Sequence, residues 1–593
     1  MNMRWNLDSL YTSFESQDFK NDLEKCYNKI DEIKNWTKEN LNSVDNAKAK
    51  IETSLKSQID FYTLFSKLSA FARLTASVDA KNEMALKTAD KLQNKITELT
   101  EPSVVFEKWL KSLDNLDEII NSSDFLKEHK FFLKETAKKA EYLLTEEEEI
   151  IISKMSNTGS KAWSNLQNVV GSTLLVDITI DGEEKKLPLP VVRNLAHHKD
   201  PKVRKKAYEA ELKAYEKIEE SSAAALNGIK GEVLTICEMR GYESPLEKTL
   251  IQSRMDKETL DAMLTAMKES LPTFHKYFKR KAEILGHQNG LPFYDLFAPM
   301  GKIDIKFTYE EAKDYIIKNF RTFSDKLADF TSNAFEKNWI DAEPREGKRG
   351  GAFCSNLQSI NESRILANFN GSFSNMTTLA HELGHAYHGF CLADETIINS
   401  SYTMPVAETA SIFSETIVTK AALKEANKEE AFSILEACIQ SYAQIIVDIY
   451  SRFLFESKLF EIRKDHALSV NELKKIMTDA QKEAYGDGLD HNCLHPYMWA
   501  NKPHYYYSGL NFYNFPYAFG ELFAKGVYAE YLKRGDAFTE DYDKLLAATG
   551  KNNIADVCSM MNINVRSVDF WRSSLNVIKD EINKFMELSD SLK

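Results

Sequence analysis

Thr377-Thr378-Leu379-Ala380-His381-Glu382-Leu383-Gly384-His385-Ala386-Tyr387-His388 is the stretch on which the reading of this chain turns. It contains His-Glu-x-x-His. On an α-helix, residues four apart share a face, so His381 and His385 can both direct an imidazole nitrogen at one cation. Glu382 projects to the side, where it can take a proton from a metal-held water without ligating the metal. A zinc hydrolase needs that set: ligands that leave one coordination position open, and a carboxylate beside it. The simpler alternative is a helix with histidines on a polar face, and a third ligand decides between the two.

One continuation of the motif, with glycine and histidine three and six residues past the second histidine, is excluded. Those positions hold His388 and Cys391. The other source of a ligand is a glutamate on a following helix. Met404-Pro405-Val406-Ala407-Glu408-Thr409-Ala410-Ser411-Ile412-Phe413-Ser414-Glu415 offers two. Pro405 suits a helix start, where its missing N–H costs nothing. Glu408 and Glu415 are two helical turns apart and share a face, with small residues between that permit close approach. The flanking apolar residues imply burial, and buried carboxylates need partners. Glu408 is the expected third ligand. Glu415 suits a supporting role, accepting from the other ring nitrogen of a ligand histidine.

These residues resemble the thimet-oligopeptidase-like zinc peptidases, and more narrowly their oligoendopeptidase F branch. The resemblance includes Trp5-Asn6-Leu7-Asp8-Ser9-Leu10-Tyr11, Lys348-Arg349-Gly350-Gly351-Ala352-Phe353-Cys354, and the segment His504 to Gly520. It implies one Zn2+ per chain and hydrolysis of internal bonds in short peptides. It also implies a mostly α, multi-helical zincin-type fold with a small β-sheet beside the active site. A deep substrate channel between two halves would admit short peptides and exclude folded proteins.

Composition agrees with a helical chain. Glycine (22) and proline (13) in 593 residues come to about 6%, half the usual share, so turns are few. A net charge of −13 argues against a nucleic-acid partner, which would require a basic excess. Seven cysteines are scattered, with no Cys-x-x-Cys, which disfavours a disulfide framework or a thiolate zinc site. Met1-Asn-Met-Arg-Trp-Asn-Leu-Asp lacks an apolar signal-peptide core, and no run of eighteen apolar residues occurs, so a cytoplasmic protein without a membrane partner is expected.

Along the chain, residues 24–36 and 46–95 carry apolar residues at helical spacing. Glu146 to Glu149 behind Thr145 fits a helix first turn. Leu174 to Gly182 alternates β-branched residues and ends in Asp181-Gly182, a hairpin signal. His197-His198 lies in a surface loop or helix start. Thr308 and Glu311 form a capping box. The division expected is an N-terminal helical domain with the hairpin, 1–195, and a catalytic helical domain, 196–593.

Between Asp341 and Asn375 glycines cluster around extended segments, and a small sheet is expected there. Its edge could pair with a peptide backbone, with Gly351, Ala352 and Asn368 as candidate substrate contacts, or it could simply cover the core. Helices are expected from about Ala407 to Phe460. The aromatic stretch from Trp499 to Gly520 would ordinarily be core, but a histidine and phenols could donate to the oxyanion formed when water attacks an amide. The resemblance assigns that role to His504 and Tyr513, with Tyr506 and Tyr517 as weaker candidates. Phe515 and Pro516 stand where the better-known thimet-like members show a second tyrosine. His491 and His495 are not expected as ligands.

Three readings follow: an oligoendopeptidase, a carboxypeptidase or dipeptidyl carboxypeptidase using a cation such as Arg349 or Lys502, and a non-catalytic peptide binder. The first is favoured, because a binder has no need of Glu382.

Overall fold

The computed structural model describes residues 2–180, 182–301 and 305–592, most of them helical. Asp181, half of the expected turn pair, lies outside the described residues. Among the described residues, five short strands accompany the helices: β1 (Leu175–Ile180), β2 (Glu183–Pro188), β3 (Ile340–Asp341), β4 (Phe353–Leu357) and β5 (Glu362–Leu366). β1 and β2 form the antiparallel hairpin that alternation predicts. The other three make a sheet of order β3-β5-β4, with β4 antiparallel and β3 parallel to β5. The mostly helical fold is what the low glycine and proline content predicts, and the second sheet lies in the glycine-rich interlude where one is expected.

The chain forms two compact units, each assembled from three segments. The first comprises Met1–Leu143, Asp304–Lys424 and Glu530–Ile563; the second comprises Leu144–Ile303, Glu425–Ala529 and Asn564–Lys593. Residue 195 falls inside the second unit, directly after the helix Leu189–Asn194.

In the first unit, the helices Gln17–Asn40 and Ala47–Val78 bury Phe19 and Phe71 with Tyr11, their rings 5.1–5.8 Å apart. Leu357 of β4 belongs to the same apolar cluster, so the N-terminal helices pack on the sheet that precedes the metal motif. The opening Trp5–Tyr11 segment is stitched to that sheet by Arg364 of β5. Its buried guanidinium donates to the Asn6 carbonyl (2.7 Å), the Ser9 hydroxyl (2.8 Å) and Glu362 (2.8 Å). The Thr308–Glu311 capping box forms as expected and starts the helix Tyr309–Arg321.

The second unit carries the Thr145–Glu148 capping box and an aromatic core that includes Tyr215, Trp499 and Tyr505. Among the ammonium–carboxylate pairs buried in it are Lys281–Glu436 (2.7 Å) and Lys230–Glu456 (2.8 Å). Each is cross-bonded: Tyr277 donates to Glu436 and Phe512 N–H to Glu456, both at 3.0 Å. A buried pair adds little net stability, but removing one partner strands a charge. The helices Lys428–Ala443 and Ile449–Arg463 are joined by a π turn, Gln444–Asp448. Among the described residues, Lys428–Arg463 is the one helical run long and apolar enough to cross a membrane. Its most apolar window is 67% buried within the protein, as in a core helix.

Candidate metal centre

The motif lies on the helix Phe373–Cys391. Gly371, at φ +87°, turns the chain into it; a Cβ there would meet the Phe307 carbonyl at 2.7 Å. Ser372 then caps the helix by accepting from Asn375 N–H. Met376, Leu379, Ala380, Leu383, Ala386 and Tyr387 form its buried face, spaced at three and four residues. Its last turns are anchored from behind: Tyr387 donates to Asp543 (2.6 Å) and His388 Nε2 meets Thr549 (2.8 Å).

The second source of ligands departs from the single helix expected. Met404–Ala407, with Pro405 in its first turn, ends at Glu408, and a second helix begins at Thr409. The break is slight, since Ile412 N–H still bonds the Glu408 carbonyl at 3.0 Å. Gly384 sets the spacing of the two helices. A Cβ on it would lie 2.6 Å from Ser411 Cα, so only glycine admits the backbone this closely.

The ligand atoms of His381, His385 and Glu408 lie within 4.8 Å of one another. Glu408 Oε2 is 3.2 Å from His381 Nε2 and 3.5 Å from His385 Nε2, so one carboxylate oxygen faces both imidazoles. Ser411 steadies that oxygen with a 2.9 Å hydrogen bond. Glu415 Oε2 stands 3.2 Å from His381 Nδ1, where it fixes which nitrogen carries the proton. Among the described residues these three groups form the one metal-competent cluster. Two imidazole nitrogens and one carboxylate oxygen fit zinc and leave a position open.

Electrostatics follow from burial and proximity. Burial pulls the His381 imidazole down, but Glu408 and Glu415 outweigh it and carry it up to about 10. Burial raises Glu408, yet the two imidazoles hold it well below the carboxylate range. Glu382 is 6% exposed, and burial raises its proton affinity against the pull of His385 and His381. A carboxylate that holds a proton more readily than usual is suited to proton transfer near neutrality.

Several neighbours were not singled out by sequence. Asn356 on β4 donates to the carbonyl of His385 (3.2 Å) and accepts from Ser363 (2.8 Å). It occupies the space left by Gly389, where a Cβ would lie 2.6 Å from its Nδ2. His388 stacks on Tyr402 with ring centroids 4.0 Å apart, and burial holds it neutral, near 3. The small residues Gly384 and Gly389 within the motif helix were the available signal for such close packing.

The sheet beside the motif is held by Lys348. Its buried amine bonds Asp341 (2.7 Å) and the carbonyls of Asp341, Glu343 and Ala367. Arg349 N–H bonds the Ser77 carbonyl (2.8 Å), tying the loop to the helix Ala47–Val78. Gly351, at φ +80°, and Ala352 lead into β4, which lies at the end of the strand order. Asn368 spends its amide on the carbonyls of Arg349 (3.1 Å) and Gly351 (2.9 Å), so it shapes this loop.

The remaining candidates belong to the second unit. His504 stacks on Tyr513, centroids 4.8 Å apart, and the Tyr513 and Tyr517 hydroxyls are 3.0 Å apart. Burial, with Arg452 and Lys502, lowers the His504 imidazole. Tyr517 is exposed, whereas Tyr506 is 1% exposed and packs in the core. The backbone before Tyr513 is strained: Phe512 has φ +52°. It is held there by its N–H bond to Glu456, while Lys230 binds Asn511 (2.9 Å) and Arg452 binds Asn514 (3.0 Å). His491 bonds the Gly486 carbonyl (2.8 Å), and His495 is buried 3.3 Å from Glu211. His197 is exposed.

A mostly helical chain whose His-Glu-x-x-His helix is completed by a carboxylate from the next helix falls in the class of helical metallopeptidases. Comparison with known proteins narrows this. The sequence model for peptidase family M3 matches residues 194–577, and the model described as oligopeptidase F matches residues 112–174. The chain belongs to peptidase family M3, in its oligopeptidase F branch. It is 25% identical to the oligopeptidase PepF of Bacillus subtilis over 89% of this chain and 79% of that one. It is 23% identical to an oligoendopeptidase F homologue of Borreliella burgdorferi over 99% and 98%. A putative peptidase from Chlamydophila abortus shares the fold, with TM-score 0.86, 21% identity and coverage of 99% and 98%. The oligoendopeptidase-F of Enterococcus faecium does so with TM-score 0.71, 18% identity and coverage of 96% and 99%.

Proposed function

We propose that this M3 metallopeptidase is a zinc-dependent oligoendopeptidase that hydrolyses internal bonds of short peptides. The observation that carries the reading is the convergence of His381, His385 and Glu408 beside the buried carboxylate of Glu382. Zinc held by the three ligands would polarise the scissile carbonyl and acidify water. Glu382 takes the proton of the attacking water and passes it to the departing amine. Glu415, at His381 Nδ1, would hold the ring so that Nε2 is free to take the metal. His504 and Tyr513 take the donor role to the carbonyl oxygen that the family resemblance implies, and β4 offers backbone groups to an extended substrate.

Mass spectrometry of a nine- or ten-residue peptide incubated with the protein tests this. Internal fragments that vanish with chelator and return with zinc are expected. Release of single residues or dipeptides from the C-terminus would replace the reading with an exopeptidase. An intact peptide after incubation with fully metal-loaded protein would leave a binder. A folded protein of ordinary stability should survive conditions that consume the peptide.

A further inference from the structure

The second unit holds a partly open cavity of about 270 Å³ that the chemistry above does not use. Its walls come from residues 190–211, 293–297 and 495–502, and from the π turn. π turns are insertions that recur at functional sites. Here both ends of the turn, Gln444 and Asp448, face the cavity.

The charges that face this space do not cancel. Asp448 is taken by Arg452 and the Tyr485 hydroxyl. Glu211 is taken by Arg193 and His495, each at 3.3 Å, and by Tyr215 at 3.0 Å. Arg204 is spent on Asp295 (2.6 Å) and the carbonyls of His198 and Lys199. Lys502 remains. Among the described residues its ammonium has no carboxylate or carbonyl at bonding distance. Burial and the nearby Arg452 depress it to about 8, against the opposing pull of Asp448. Lys502 is half-buried, so its ammonium lines the cavity with no anion of its own and is placed to receive one. The wall also carries apolar and aromatic groups, Phe293, Tyr294, Phe297 and Met498 among them, beside the amides of Asn194, Gln444 and Asn501.

We propose that this cavity binds the free α-carboxylate of a short peptide or amino acid with an apolar side chain, and that Lys502 is the partner of that carboxylate. The nature of the ligand rests on the peptidase reading; the carboxylate could be the C-terminus of the substrate itself or that of a released fragment.

The test is calorimetric titration of the metal-loaded full chain with N-acetylphenylalanine and with its amide, repeated on Lys502→Met and Lys502→Arg. The acid should bind at least about tenfold tighter than the amide to the unaltered protein. Lys502→Met should lose that preference and Lys502→Arg should keep most of it, which separates lost charge from lost fold. Equal binding of acid and amide, or a preference that survives in Lys502→Met, overturns the assignment. Competitive inhibition of peptide cleavage by the acid would assign the site to the substrate's own C-terminus, and binding without competition to a released fragment. If the acid binds as expected but no peptide is cut, the peptidase reading fails and the carboxylate site stands. If peptides are cut with no acid preference, the reverse holds.

Discussion

Glu408 and Glu415 approach opposite nitrogens of one imidazole, each carboxylate 3.2 Å from His381, at Nε2 and Nδ1 respectively. The first is placed to share a cation with the ring, the second to orient it. Replacing Glu415 with alanine should therefore weaken zinc binding about 10–100-fold while all three ligands remain. Competition against a chelator of known affinity measures it. Unchanged affinity would show that the Nδ1 contact does not support the site.

The same pair of contacts makes metal binding depend on pH. In the metal-free protein His381 is raised from 6.5 to about 10, so folding favours its protonated form. That contribution is complete below pH 6.5 and is lost as pH rises through about 10. Glu408, held below its ordinary 4.5, contributes above that value and loses its contribution as pH falls. Within this window a cation must displace the His381 proton. Zinc affinity should rise about tenfold per pH unit between 7 and 9. Calorimetry in two buffers of different ionisation enthalpy reads the released proton, and a flat profile would mean that His381 is already neutral.

Glu382→Gln keeps the shape of the side chain and removes the base. Turnover should fall by about 10²–10⁴ or more, with one zinc per chain still found by elemental analysis. Loss of the metal in this variant would make Glu382 a ligand.

Gly384→Ala would press a methyl group against the backbone at Ala410 and Ser411. The helix Thr409–Glu425, and Glu408 just before it, would have to move away from the motif helix. Stability should drop by about 1–3 kcal/mol in urea titration, with a further loss in zinc affinity. A variant that keeps both would show that the contact can relax.

Lys230→Met would leave Glu456 buried without its cation and remove the hold on Asn511, next to the strained Phe512. A loss of about 3–5 kcal/mol is expected in denaturant unfolding. At temperatures where the variant is still folded, cleavage should fall with it if Tyr513 acts on substrate, because its backbone would lose the left-handed turn. Full activity in the folded variant would remove Tyr513 from the chemistry.

The grouping of the candidate metal ligands was legible because its rules are local. Four-residue spacing puts His381 and His385 on one face, and seven-residue spacing brings Glu408 and Glu415 together across the break at Glu408. The Thr308–Glu311 box and the β1–β2 hairpin are likewise set by residues a few positions apart. Asn356 escaped notice because its partners, the His385 carbonyl and Ser363, are defined only once β4 lies against the motif helix. Tyr506 and Tyr517 looked alike as phenols in one aromatic run, and only packing separates the buried one from the exposed one. The interleaving of segments into two units was hidden for the same reason: helical periodicity says which face is buried, not what covers it.

That interleaving constrains how the metal centre comes into being during synthesis. All its candidate ligands lie between His381 and Glu408, yet two groups behind the motif helix, Asp543 and Thr549, are translated some 140 residues after Glu408. Domains tend to fold as units once their chain is available, and contacts distant in sequence close late. A nascent chain that ends before Glu530 carries His381, His385 and Glu408 but lacks the anchors that Asp543 and Thr549 give to Tyr387 and His388. The protein would then emerge from the ribosome with this site unfinished, and competence to cut peptides would be postponed until the segment Glu530–Ile563 has been made.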